Sequence, residues 1–101
     1  MTENKGKPIE IADPFARRLV GRYLSHRKND ISKLQSALAE SDFETIRVTG
    51  HNLFGSGSAY GLDEISYMGA GIEKAADDQD VVRIECLIDD LIRFLRKLHV
   101  Y

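Results

Sequence analysis

A chain of 101 residues, 43% of them hydrophobic, is long enough to bury one modest core and leaves little for a second domain. Its 14 basic and 16 acidic residues are spread along the sequence and sum to a net charge of −2, so no basic stripe exists to neutralise a nucleic-acid backbone. No run is long and apolar enough to span a bilayer, and the polar residues 1–8 lack the apolar centre of a secretory signal, so the expectation is a cytoplasmic protein with neither nucleic-acid nor membrane contacts.

Residues 1–11 carry Lys, Asn, Gly and Pro without periodicity and read as a flexible leader, with residues 9–12 extended; the folded domain is expected over residues 12–101. Asp13-Pro14 starts a helix, because an aspartate caps orphan N–H groups while proline at the first helical position has no donor to lose. Phe15, Leu19, Tyr23, Leu24, Ile31, Leu34 and Leu38 keep helical spacing to about Glu40. One long element is favoured, with Asn29-Asp30 the place where a break would fall.

Ser41 followed by Glu44 reads as a capping box opening a second helix, whose apolar stripe is Phe43, Ile46, Gly50, Leu53 and Gly57. Gly61 supplies the left-handed turn that ends it. A third helix runs from about Leu62 to Asp77 with Ile65, Met68, Ile72, Ala75 and Ala76 on its apolar side. Asp78 and Asp80 offer caps for a fourth, where Val81, Ile84, Ile88, Leu91, Leu95 and Leu98 recur every three or four residues. Cys86 falls in this helix, has no partner for an internal disulfide and no Cys/His neighbour at zinc spacing, and reads as a packing residue. Four amphipathic helices joined by short connections give an all-α, up-down antiparallel four-helix bundle in a single domain.

His51 lies about 120° from the centre of its helix's apolar stripe and therefore faces water or a partner. Gly55, one turn on, contributes no side chain beside the imidazole, and Ser56 and Ser58 extend a low polar surface. Gly57 and Gly61 read mainly as close-packing positions. His26 and His99 have no comparable setting, and no His/Glu spacing brings them together as metal ligands. Gly55, Gly57 and Gly61 do not have the spacing of a dinucleotide fingerprint. Neither serine centres a nucleophile elbow, and no Gly-Lys-Ser/Thr follows to cradle a nucleotide. Kinase and hydrolase chemistry are thereby disfavoured.

The run His-Asn-Leu-Phe-Gly-Ser at 51–56, followed by Gly61, Ile65, Ile72, Glu73 and Ala76, resembles the histidine-containing phosphotransfer (HPt) domains of bacterial phosphorelays. The motif covers about a quarter of the chain, and the helical layout on either side is similar as well. In the family's pattern a lysine usually follows the histidine by three residues; here that position is Phe54. The resemblance implies that His51 accepts a phosphoryl group from the phosphoaspartate of a response-regulator receiver domain and passes it to another response regulator.

The partners implied are a receiver domain, free or within a hybrid sensor histidine kinase. Mg²⁺ would come from the receiver; the chain itself would need no cofactor and no metal, would have no ATP site, and would be a monomeric carrier rather than an enzyme. The resemblance also places Glu73 near His51, where its carboxylate would accept from Nδ1–H; otherwise it is an ordinary solvated carboxylate. Arg47 and Lys74 are candidate cations for the phosphoryl charge, or plain surface charges. Phe54 divides evenly between extra packing and an apolar docking contact. The competing expectations are a non-phosphorylated docking module that binds a receiver or sensor kinase, and a purely structural bundle.

Overall fold

In a computed structural model, which describes residues 13–98, four α-helices follow one another: α1 (Pro14–Ala39), α2 (Phe43–Gly57), α3 (Asp63–Asp77) and α4 (Val81–Lys97). A 3₁₀ turn, Ser58–Tyr60, joins α2 to α3. Each helix packs on the next and α1 closes against α4, which makes the all-α, up-down antiparallel bundle expected from the helical periodicity. The leader, Ala12 and His99 lie outside the described residues.

Three of the four described helices, α1, α2 and α4, are capped by aspartates, while α3 follows Leu62 without a side-chain cap. Asp13 accepts from Phe15 N at 3.0 Å, with Pro14 in the first helical position, and α1 then runs unbroken through Asn29-Asp30. Asp80 accepts from Arg83 N at 3.1 Å and opens α4. At α2 the expected Ser41/Glu44 capping box is absent. The cap is Asp42, which takes the Thr45 N–H at 3.1 Å and the Thr45 hydroxyl at 2.6 Å. These hydrogen bonds, the hydroxyl's first, hold the Asp42 carboxyl below the usual carboxylate range.

Ser41 is committed elsewhere, because α1 ends in a Schellman motif. Ser41 takes a left-handed φ of 56°, its N–H reaches Leu38 O at 3.1 Å, and Asp42 N reaches Ala37 O at 2.8 Å. The same pattern closes α3, where Gln79 has φ 52° and Asp80 N reaches Ala75 O at 2.9 Å. Between α2 and α3 the left-handed residue is Gly61, with φ 75°. A Cβ on Gly61 would meet nothing within 4 Å, so its role is this turn and not the close packing expected of it.

The core draws on every helix: Ile31 and Leu34 from α1, Ile46 and Leu53 from α2, Ile65 and Ile72 from α3, and Ile84, Leu91 and Leu95 from α4, all with at most 1% exposure. Several apolar positions on the expected stripes lie outside it. Phe15 and Leu19 are exposed because α1, 26 residues and about 39 Å long, outruns partners of 15 to 17 residues. Val81 is also exposed, at the first turn of α4. Cys86 sits about 200° round α4 from Ile84, on the outer face, and is exposed rather than packed.

Candidate functional site

The seam between α2 and α3 is the closest in the molecule, and its glycines set the distance. A Cβ added to Gly50 would lie 2.7 Å from Glu73 N and 2.8 Å from Gly69 O. One added to Gly69 would run into Phe54 N and lie 2.7 Å from Gly50 O. One added to Gly57 would lie 2.6 Å from Ser66 N. The obstacles are backbone atoms, which cannot rotate away, so the two helices touch main chain to main chain. The expected packing role of Gly57 is therefore present. Gly69 did not stand out in the sequence, because its role depends on which helix faces it.

This approach brings the backbone of Glu73 against the residue preceding His51, and the two side chains meet over the seam. His51 Nδ1 lies 3.2 Å from Glu73 Oε2 and 3.3 Å from Oε1, the pairing anticipated for these residues. The histidine side chain is 63% exposed, while that of Glu73 is 28% exposed. A carboxylate is acceptor-only, so a neutral imidazole in this geometry carries its proton on Nδ1 and leaves Nε2 as a free lone pair. Gly55 stands one turn beyond, with nothing within 4 Å of where its Cβ would be, so the approach to the ring from that side is open.

Phe54 is half-exposed, its ring centroid 6.5 Å from that of His51 and tilted by 48°. It forms part of the surface around the histidine instead of filling the core. Arg47, one turn before His51, is held by Glu44: Nε donates to Oε1 at 3.1 Å and Nη2 to Oε2 at 2.6 Å. Lys74 Nζ lies 3.4 Å from Asp78 Oδ1.

Ser56 does not join the His51 surface. Five residues rotate it about 140° round the helix, toward α1. There its hydroxyl pairs with Tyr23 OH at 2.7 Å and takes a 3.5 Å hydrogen bond from Arg27 Nη1. The Tyr23 ring stacks on Tyr60 with centroids 4.1 Å apart, and the Arg27 guanidinium lies 4.2 Å from the Tyr23 ring centroid. Arg27 Nε also lies 2.8 Å from Asp30 Oδ2, an ion pair without an aligned hydrogen bond. Ser58 is likewise engaged, in a stitch centred on buried Ser66. The Ser66 hydroxyl accepts from Ser58 N at 2.8 Å and donates to Phe54 O at 2.9 Å, bridging two groups that a continuing α-helix would join directly. His26 is exposed on α1.

Among the described residues no group of three or more His, Cys, Asp or Glu is placed to hold a metal ion, and no helix is long and apolar enough to cross a membrane. Compared with known proteins, the chain matches no family model, no curated protein and no solved structure.

Proposed function

We propose that the protein is a phosphorelay intermediate in which His51 carries the phosphoryl group. The observation that carries this reading is the exposed imidazole whose Nδ1 faces the Glu73 carboxylate at 3.2 Å, beside the open ground left by Gly55. The resemblance of the 51–76 segment to HPt domains supports it from the sequence side.

In this reading the Nε2 lone pair attacks the phosphorus of a receiver's phosphoaspartate. The N–P bond forms as the P–O bond to the carboxyl breaks, the aspartate leaves as a carboxylate, and the ring becomes a phospho-imidazolium. Glu73 accepts the Nδ1–H hydrogen bond throughout and steadies the positive ring, which keeps that proton and so leaves as a neutral imidazole when the N–P bond breaks. The reverse attack by a second receiver's carboxylate empties the site. The receiver supplies Mg²⁺ and the acidic pocket, so this chain is a carrier without an ATP site. It acts as a cytoplasmic monomer, and its interface with the receiver is small and transient.

Phe54, half-exposed beside His51, supports a second reading: a docking module that binds a receiver or sensor kinase without carrying phosphate. Incubation with phosphorylated receiver domains, following acid-labile, alkali-stable phosphate on wild type and His51→Ala, separates the two. The carrier reading expects label on the wild type alone. Receiver binding with no label on the wild type would leave the docking module in its place.

A further inference from the structure

Acidic groups gather about Arg47, one turn before His51. Glu44 on α2 and Glu73 and Asp77 on α3 all act electrostatically on Arg47, while Lys74 pairs with Asp78 and lies about 100° round α3 from Glu73. A phosphoryl group adds nearly two further negative charges and three acceptor oxygens to this face. Some cation must answer it, and Arg47 is the best placed. It precedes His51 by four residues, a spacing that makes the two positions neighbours on the helix surface.

Arg47 is occupied in the bare protein, but by a partner it can exchange. The Glu44 side chain is 71% exposed and that of Arg47 37%, so water screens their ion pair and holds it weakly. A dianion with three oxygens matches the guanidinium fork as well as a carboxylate does and carries more charge.

We propose that Arg47 is a switched counter-ion: Glu44 holds it while His51 is bare, and when Nε2 is phosphorylated the guanidinium moves to the phosphoryl oxygens and frees the Glu44 carboxylate. The bare and loaded proteins then present different charge patterns to a receiver, with Arg47 and Glu44 paired in one and Glu44 exposed alone in the other. Hydrogen bonds and charge from Arg47 hold the Glu44 carboxyl below the usual carboxylate range, and Glu44 in turn raises Arg47.

This inference rests on the carrier reading, and its test separates the two. Phosphoramidate phosphorylates histidine without any protein partner: the imidazole nitrogen forms the N–P bond as the P–N bond of the reagent breaks and ammonia leaves. With His51→Ala as the control for site, the second ionisation of the phosphoryl group is followed by ³¹P NMR across a pH titration. Arg47→Gln is expected to move the midpoint up by about half a pH unit, the size of an exposed ion-pair contact.

Glu44→Gln, which frees the guanidinium, should move the midpoint down, and Arg47→Lys should restore most of the wild-type value. Both positions, 44 and 47, are exposed or half-exposed, and circular dichroism verifies that the variants stay helical. Equal midpoints in wild type and Arg47→Gln would overturn the switch while leaving the carrier reading intact. No label on wild-type His51 would overturn both.

Discussion

The two seams that α2 makes with its neighbours are built on opposite plans. Toward α3, Gly50, Gly57 and Gly69 remove side chains altogether and let main chain rest on main chain. Toward α1, large side chains fill the gap: Tyr23 stacks on Tyr60, Arg27 lies over Tyr23, and the Tyr23 hydroxyl meets Ser56. Side chains can repack by rotamer changes, whereas backbone packed on backbone cannot yield without moving a whole helix. The hydrogen-bonded pair His51 and Glu73 spans the rigid seam. The adaptable seam faces away from it.

The sharpest way to break this contrast is Gly69→Ala. The added methyl meets Phe54 N and Gly50 O, and the expected cost is about 3 kcal/mol or more by denaturant unfolding, with the His51–Glu73 hydrogen bond broken in whatever folds. A cost near that of an exposed surface substitution would show that the seam can open. On the other side of α2, Tyr23→Phe removes the nearer of the two partners of the Ser56 hydroxyl, leaving Arg27, and keeps the stacked rings. It should cost about 1 kcal/mol and leave the His51 ring resonances unchanged in NMR spectra. A change at His51 would mean that the two seams are coupled.

The smallest effect concerns the junction between α1 and α2. Because the Asp42 carboxyl is held below its ordinary range in the fold, its contribution is complete above the unfolded value of about 3.9 and is lost as pH falls through the lower folded value. The stability gap between wild type and Asp42→Asn should therefore be widest near neutrality and close on acidification below about pH 4. A gap independent of pH would mean that the ionised carboxylate is not what caps α2.

The features readable from the sequence were those that depend on one helix at a time. Asp13-Pro14 placed the start of α1 and Gly61 the left-handed turn, and of the two aspartates offered for α4 Asp80 is the cap while Asp78 ends α3, because caps and turns are local chemistry. The apolar stripes gave the bundle. Ser41 misled because the residue that best caps the next helix was also needed, in left-handed geometry, to end the previous one, and Asp42 offered the stronger acceptor. Gly69 and Ser66 carry no signal in the sequence since each acts across the seam, and periodicity says nothing about what lies opposite. For the same reason the 22-residue separation of His51 and Glu73 is bridged only through the family resemblance; the stripe angle places His51 on an outer face without pairing it with Glu73.

The phosphoacceptor role proposed for His51 turns on Glu73 holding the proton of Nδ1 so that Nε2 is free to react. Long-range ¹H–¹⁵N correlation spectra of the unphosphorylated protein, at a pH where the His51 ring is neutral, report directly which nitrogen is protonated. The geometry predicts the Nδ1–H tautomer in the wild type and loss of that preference in Glu73→Ala. A wild-type ring protonated on Nε2, with Glu73→Ala indistinguishable from it, would contradict the role given to Glu73 and with it the arrangement read as a phosphoryl-accepting site.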